Sequence, residues 1–163
     1  MDVENLITIV IPSYNQGQYL EQALESVFTQ NLSVEVFVMD GGSTDNSVEI
    51  IKKWAAKLAG WRSHKDSGQS AAINEGISLG SAPYVCWLNS DDYLLPDKLV
   101  KLLDILEGNP QVPMAYGRVD NVIDLMGKSH AVRVEPFSQA RLADRPSPRN
   151  AWPSPNREIF VIH

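Results

Sequence analysis

Two hydrophobic spacings alternate along the chain. Leu6-Ile7-Thr8-Ile9-Val10-Ile11 is a short, β-branched, nearly continuous apolar run stopped by Pro12. Runs of this kind form strands buried on both faces. After the turn Ser13 to Gly17, apolar residues recur at Leu20, Ala23, Leu24, Val27 and Phe28, which is helical spacing. Val34 to Met39 reads as a second strand, ended by Asp40-Gly41-Gly42. Ser43-Thr44-Asp45 supplies helix-capping residues, and Val48, Ile51, Ala55 and Leu58 mark one helix face that Gly60 closes. A weak strand is expected over Trp61 to Lys65 and a third helix from Ser67 to Leu79. Tyr84 to Leu88 is the next strand. A helix then starts at Pro96, with Leu99, Leu102, Leu103 and Leu106 on its inner face, and Gly108-Asn109-Pro110 ends it. Val112 to Tyr116 and Val119 to Leu125 are weaker strand candidates.

Strands and helices in alternation imply parallel strands with right-handed crossovers. The expected fold is α/β, a mostly parallel sheet with helices on both faces. The pattern holds to residue 125 and then decays, dividing the chain into a core over residues 1–125 and an irregular segment over 126–163. Arg145-Pro146-Ser147-Pro148-Arg149 and Trp152-Pro153-Ser154-Pro155-Asn156 can continue neither a helix nor a central strand. The segment from Phe137 to His163 is expected to add little to the core.

Composition narrows the classes. The 163 residues suffice for one domain with a real core, and 44% hydrophobic with 21% charged is ordinary for a globular chain. A net charge of −6 with no basic block argues against a nucleic-acid surface. No apolar stretch approaches the ~20 residues of a membrane span. The polar, acidic start Met1-Asp2-Val3-Glu4-Asn5 is no secretory leader, so a cytoplasmic protein is expected. The single cysteine, Cys86, excludes an internal disulfide and reads as inert core. His64, His130 and His163 have no ligand spacing and read as structural or solvated.

Three strands end in polar clusters on one expected edge: Pro12-Ser13-Tyr14-Asn15, Asp40-Gly41-Gly42-Ser43 and Asn89-Ser90-Asp91-Asp92. In open α/β sheets that edge binds ligands. Two adjacent carboxylates repel, so Asp91 and Asp92 suit a hard cation, Mg²⁺ or Mn²⁺, which usually comes with substrate phosphates. Taken alone, the quartet favours a solvated turn, since Asn, Ser and Asp are turn formers. Asp40 can accept from an imide or a ribose hydroxyl, or cap the following helix. Asp40 and Asp91 are expected to lie at neighbouring strand ends and to face one cleft. Gly41 and Gly42 let a ligand approach the backbone, and Tyr14 can stack on a base. The turn after the first strand is no Gly-x-Gly-x-x-Gly, and neither a phosphate loop nor a Gly-x-Ser-x-Gly elbow is present. A nucleotide site would therefore rest on carboxylates and a metal.

Five motifs in order resemble those of the inverting glycosyltransferases of family 2, which have the GT-A fold. They are Ile9-Val10-Ile11-Pro12-Ser13-Tyr14-Asn15; Leu20 to Gln30; Asp40-Gly41-Gly42-Ser43-Thr44-Asp45; Asp66 to Gly76; and Asn89-Ser90-Asp91-Asp92, where Asn89 replaces the first Asp of the family's Asp-x-Asp. The resemblance implies a nucleotide-binding set of Pro12, Tyr14, Asn15, Asp40, Gly42, Asp66, Asn74 and Ser90. It implies Asp91 and Asp92 at the metal. Asp45 reads instead as a helix N-terminal carboxylate. The implied function is transfer of a sugar, with inversion and metal assistance, from a UDP-linked or related donor to a glycan or lipid-linked acceptor. The family's role in cell-envelope glycans implies a peripheral site of action at the inner membrane face. Inversion needs a base. Asp120, Asp124, Glu135 and Asp144 are the acids available before the tail's Glu158, and none has the family's context. The alternative is a truncated donor-binding module from a split or frameshifted gene, without the acceptor half and base. A nucleotidyltransferase is a weaker third reading, because no Gly-rich, Lys- or Arg-bearing loop follows the first strand.

Overall fold

The computed structural model describes residues 5–115 in full, and the backbone of 121–123, 129–131 and 158–161. The elements are β1 (Ile7–Ser13), α1 (Gly17–Phe28), β2 (Val34–Asp40), α2 (Ser47–Trp54), β3 (Gly60–Ser63), α3 (Gln69–Leu79), β4 (Tyr84–Trp87), α4 (Lys98–Glu107), β5 (Asn121–Ile123), β6 (Ser129–Ala131) and β7 (Glu158–Val161). Residues 1–117 and 153–163 form one compact unit and residues 118–152 another. In the second unit, β5 and β6 pair antiparallel, Asn121 opposite Ala131.

The first unit holds a five-stranded sheet in the order β3-β2-β1-β4-β7, with every pair parallel. β1 is central and all seven of its residues are buried, which is why its sequence is continuously apolar rather than alternating. The pleat sends alternate residues to opposite faces. Ile7, Ile9, Ile11, Val36, Val38 and Cys86 meet Leu20, Leu24 and Val27 of α1, Ile51 of α2 and Leu99, Leu103 and Leu106 of α4 in one core. Val10, Phe37, Met39 and Val85 meet Ala72 and Ile77 of α3 in the other. α3 packs close to the sheet: a Cβ on Gly76 would lie 2.5 Å from Val10 Cγ1. The helices thus cover both faces, as the alternation predicts.

The register aligns the functional edge. Ser13 pairs with Asp40 and Asp40 with Ser63, so β1, β2 and β3 end at one level. At the opposite edge Glu35, itself buried, accepts from Thr8 Oγ1 at 2.5 Å and from the Ala82 N–H at 2.8 Å, pinning the α3–β4 connection.

Three elements differ from the sequence reading. α2 stops at Trp54, four residues before Leu58. The apolar period runs on because Leu58 still packs on the core, while the Ala59 N–H has switched to the Val36 carbonyl at 2.9 Å. Residues 112–115 form no strand, since Pro113 brings no N–H to a ladder; Tyr116 lies outside the described residues. The irregular segment ends in a strand: β7 pairs with β4, Tyr84 opposite Glu158 and Trp87 opposite Val161. The prolines stop at Pro155, and Glu158-Ile159-Phe160-Val161 is a β-branched and aromatic run that suits an edge strand. No helix among the described residues is long and apolar enough to cross a membrane.

Candidate active-site cleft

A cleft of about 750 Å³ opens where β1, β2 and β4 end. β1 lies between β2 and β4, so the residues after β1 stand between those after β2 and those after β4. Pro12, Ser13, Tyr14 and Gln16 line it from the first strand, and Met39, Gly41 and Gly42 from the second. Asn89, Ser90 and Asp91 line it from the end of β4. Lys65, Asp66, Gly68, Gln69 and Ala72 complete it from the β3–α3 connection and the first turns of α3.

The β2–α2 loop is shaped by Asp40, which is fully buried. Its Oδ2 accepts from the N–H groups of Gly42 at 3.0 Å and Ser43 at 2.9 Å and from Ser63 Oγ at 2.6 Å; its Oδ1 accepts from Ser43 Oγ at 2.5 Å. Gly42 holds φ 86, a conformation that favours glycine, and a Cβ there would lie 3.1 Å from the Lys65 nitrogen. Asp40 is therefore not a wall of the cleft: its carboxylate is committed to four protein donors beneath Gly41 and Gly42. The expectation that Asp40 and Asp91 lie at neighbouring strand ends and face one cleft is corrected: β1 separates β2 from β4, and only Asp91 lines the cleft.

Asn15, at φ 53, clasps the same loop. Its N–H donates to Ser43 Oγ at 2.8 Å and its Oδ1 accepts from the Thr44 N–H at 2.8 Å. It is a loop fastener and does not line the cleft. Asp45 serves two helix starts, as its reading as an N-terminal carboxylate anticipates. Oδ2 accepts from the Gly17 N–H of α1 at 2.9 Å and Oδ1 from the Ser47 N–H of α2 at 3.0 Å. Burial raises its pKa, but the Ser47 and Gly17 hydrogen bonds outweigh it and hold the carboxyl below its ordinary value.

The wall after β3 depends on a residue that sequence reasoning missed. Arg62 Nη1 donates to the Asp40 carbonyl at 2.6 Å and to Asp66 Oδ2 at 3.0 Å, and Nη2 donates to Glu75 Oε2 at 2.7 Å. One guanidinium thus joins the end of β2, the β3–α3 connection and α3. Asp66 Oδ1 also accepts from the Gly68 N–H at 2.8 Å. Burial raises the Asp66 pKa, and the Gly68 N–H with the Arg62 charge more than offsets this, so the group stays anionic below the usual range. No sequence motif marks Arg62, because its partners are scattered from 2 to 22 residues away. Lys65 and Gln69 also line the cleft, and no family motif assigns either of them a role.

After β4 the acidic pair divides. Asp91 is exposed and lines the cleft, whereas Asp92 is half-buried and its Oδ2 accepts from Asn89 Nδ2 at 3.0 Å. Two buried or part-buried polar side chains of α1 and its end anchor the chain that follows: Ser26 Oγ accepts from the Leu94 N–H at 3.0 Å, and Gln30 Nε2 donates to the Leu95 carbonyl at 3.0 Å. Asn74 is exposed on α3 and stands outside the cleft lining. Of the sequence-derived set, Pro12, Tyr14, Gly42, Asp66, Ser90 and Asp91 come together, and Asn15, Asp40, Asn74 and Asp92 do not line the cleft. The acids Asp120, Asp124, Glu135 and Asp144 lie outside the described residues.

Among the described residues no three His, Cys, Asp or Glu side chains cluster as a metal cage. Of the two carboxylates that line the cleft, Asp66 is held by Arg62 and Gly68, and Asp91 fits a hard ion only when other oxygens come from a phosphorylated ligand and water, which is how Mg²⁺ is commonly held. The cleft accordingly combines an exposed aromatic ring, open glycine backbone, a lysine and one free carboxylate.

Comparison with known proteins agrees with this geometry. A glycosyltransferase of Haemophilus influenzae is 36% identical over 118 residues, covering 69% of this chain and 46% of that protein. The chain spans less than half the length of the curated relatives it matches first. The crystal structure of S. aureus TarS in complex with UDP-GlcNAc superposes with a TM-score of 0.59 at 22% identity, covering 68% of this chain and 34% of that one. A mannosyltransferase of Pyrobaculum calidifontis in complex with GDP-Man and Mn²⁺ gives 0.57 at 22% identity, covering 63% and 32%. These likenesses give the fold, which is GT-A. The family profile for glycosyl transferase family 2 matches residues 8–153, and this chain belongs to that family.

Proposed function

We propose that the cleft binds the nucleoside diphosphate of a sugar donor, with uridine as the nucleoside. The whole protein then transfers the sugar with inversion to an acceptor hydroxyl. The observation that carries this reading is the order along the sheet edge. Tyr14 and the Gly41-Gly42 backbone offer a flat ring and an open surface for a base and ribose. Lys65 and Asp91 supply charge for a diphosphate and its cation. Pro12, Ser90 and Asp66 frame the nucleoside. Asp40 and Asn15 act from behind, by fixing the loop that carries Gly41 and Gly42. Asn74 and Asp92, outside the lining, have no direct role in this reading.

In the transfer, the acceptor oxygen forms a bond to the anomeric carbon as the bond from that carbon to the diphosphate oxygen breaks. The electron pair leaves with the nucleoside diphosphate, and the hydroxyl proton passes to a carboxylate base. Asp91 is the residue that would hold Mg²⁺ or Mn²⁺, and such an ion would supply charge to offset that growing on the leaving group. The structure complexed with GDP-Man and Mn²⁺ supports a divalent ion, and the one complexed with UDP-GlcNAc supports a uridine donor. The acceptor is a glycan or lipid-linked glycan, and the site of action is cytoplasmic, peripheral at the inner membrane face.

A second reading is donor binding without transfer by these residues alone. It is favoured by the engagement of the cleft carboxylates: Asp66 is held by Arg62 and Gly68, and Asp91 is assigned to the ion. Calorimetry with UDP, GDP and uridine, with and without Mn²⁺, tests the binding. UDP should bind more tightly with Mn²⁺ than without, and indifference to both nucleobase and metal would refute the reading. Transfer to added acceptors then separates the two: release of UDP with a new glycosidic bond supports the first, and tight UDP binding with none supports the second.

A further inference from the structure

Gln69, Asn89 and Asp92 form a directed chain of hydrogen bonds. Gln69 Nε2 donates to Asn89 Oδ1 at 2.8 Å, and Asn89 Nδ2 donates to Asp92 Oδ2 at 3.0 Å. The Asp92 N–H returns a bond to the Asn89 carbonyl at 3.0 Å. The polarity of this chain is fixed at its acidic end. An ionised carboxylate only accepts, so Asn89 must turn its NH₂ to Asp92 and its oxygen to Gln69, and Gln69 must present its own NH₂. Gln69 opens α3 and Asn89 follows β4, so the chain also ties together two walls of the cleft. No other side chain of this size does both tasks. An aspartate at position 89 could accept from Gln69 but would set a second acceptor against Asp92, and like charges at that range repel.

Resting on the nucleotide-binding reading above, we infer that Asn89 is a positioning residue that splits the acidic pair. It keeps Asp92 as an internal hydrogen-bond partner and leaves Asp91 as the sole carboxylate of the pair facing the cleft. Divalent-cation capture then waits for the nucleoside diphosphate. A hard ion needs several oxygen ligands, and one carboxylate supplies too few until phosphate oxygens arrive. The amide at position 89 therefore sets the order of binding. The cleft stays open to a free nucleotide and does not fill with metal beforehand.

Mn²⁺ titration of the full 163-residue chain, followed by electron paramagnetic resonance, tests this. In the parent protein Mn²⁺ uptake should be weak alone and on the order of tenfold tighter, or more, with UDP present. Asn89→Asp should raise nucleotide-free Mn²⁺ affinity on the order of tenfold, because Asp92 is released and a carboxylate is added. On the parent background, Asp91→Asn should abolish most of the UDP-dependent uptake, and Asp92→Asn should change it less than about twofold. Circular dichroism melts confirm that each variant is folded. Equal Mn²⁺ affinity with and without UDP overturns the inference, as does a nucleotide-free affinity unmoved by Asn89→Asp, or equal losses from Asp91→Asn and Asp92→Asn. Failure of the parent to bind UDP under any metal condition refutes instead the nucleotide reading beneath it.

Discussion

Arg62 and Asp66 are joined by a 3.0 Å ion pair whose guanidinium also holds the carbonyl of Asp40 at 2.6 Å. Both side chains are largely shielded, at 12% and 15% exposure. The pair therefore connects the glycine loop after β2 to the wall that carries Lys65 and Gln69. Removing one partner of such a buried pair leaves an uncompensated charge, which costs about 3–5 kcal/mol in fully buried cases. Arg62→Met should destabilise the protein by roughly 2–4 kcal/mol and weaken UDP binding in proportion to the disorder of that wall. Urea denaturation beside calorimetry checks both. A variant with parental stability and affinity would show that the guanidinium is dispensable.

Asp40 poses a different question, because its carboxylate accepts four hydrogen bonds inside the protein. Truncation to Ala strands two N–H groups and two hydroxyls, at about 1–3 kcal/mol for each group left buried and unpaired. Asp40→Ala should therefore lower stability sharply, and its loss of nucleotide affinity should track the melting temperature. If the variant melts like the parent yet binds UDP poorly, Asp40 reaches the nucleotide directly and the loop-shaping role is wrong.

The sheet edge opposite the cleft carries an acid-sensitive carboxylate. Burial raises the pKa of Glu35, but hydrogen bonds from Thr8, Ala82 and Ser81 more than compensate, and the folded value lies below the ordinary one. A carboxylate depressed in the folded state binds its proton more readily when unfolded. Its stabilisation is fully present above the ordinary glutamate pKa of ~4.3 and is lost as pH falls through the lower folded value. Glu35→Gln should thus cost stability at neutral pH and flatten the acid limb of a melting-temperature profile below about pH 4.5. An unchanged acid limb would remove Glu35 as its source.

Much of this was legible in the sequence because it depends on local period and order. The continuous apolar run of β1 predicts a central strand, and the three strand-terminal polar clusters do meet at one edge. Tyr14, Gly42 and Asp91 follow from that placement, while Pro12, Asp66 and Ser90 rest on the family resemblance. Position alone does not say where a carboxylate turns. Asp40 and Asp92 stand where ligands to a nucleotide or metal are expected, yet Ser43, Ser63 and Asn89 claim them first. Arg62 was invisible because its role depends on joining local Asp66 to the distant Asp40 carbonyl and Glu75. In the sequence Gln30 stands only at the end of a helical motif. Its side chain, 1% exposed, spans from α1 to Leu95 and Leu99, which are 65 and 69 residues on.

That reach makes Gln30 the anchor of the chain leaving the acidic pair. Its Nε2 donates to the Leu95 carbonyl and its Oε1 accepts from the Leu99 N–H at 3.2 Å. Gln30→Leu fills similar volume but leaves the Leu99 N–H unpaired, at roughly 1–3 kcal/mol, and leaves the Leu95 carbonyl with the Lys98 N–H at 3.3 Å. The expected result is lower stability and faster amide hydrogen exchange over residues 93–99. Exchange unchanged in that segment would show that the backbone groups find other partners.

The last prediction concerns β7, the strand that ends a segment otherwise rich in proline. In the order β3-β2-β1-β4-β7 it lies at an edge, so among the described residues only one side of its backbone is paired. Along an edge strand, successive N–H groups point alternately to the neighbour and away from it. Proline removes one donor, and it is tolerated only where that donor faces outward. Of Ile159→Pro and Phe160→Pro, one should therefore lower the melting temperature by several degrees and the other by much less. A loss of 1 kcal/mol corresponds to about 2–4 °C for a chain of this size. Deleting residues 158–163 should cost at least as much as the worse proline, since it turns β4, with buried Val85 and Cys86, into an edge strand. Indifference to both prolines and to the deletion would show that the sheet is complete at β4.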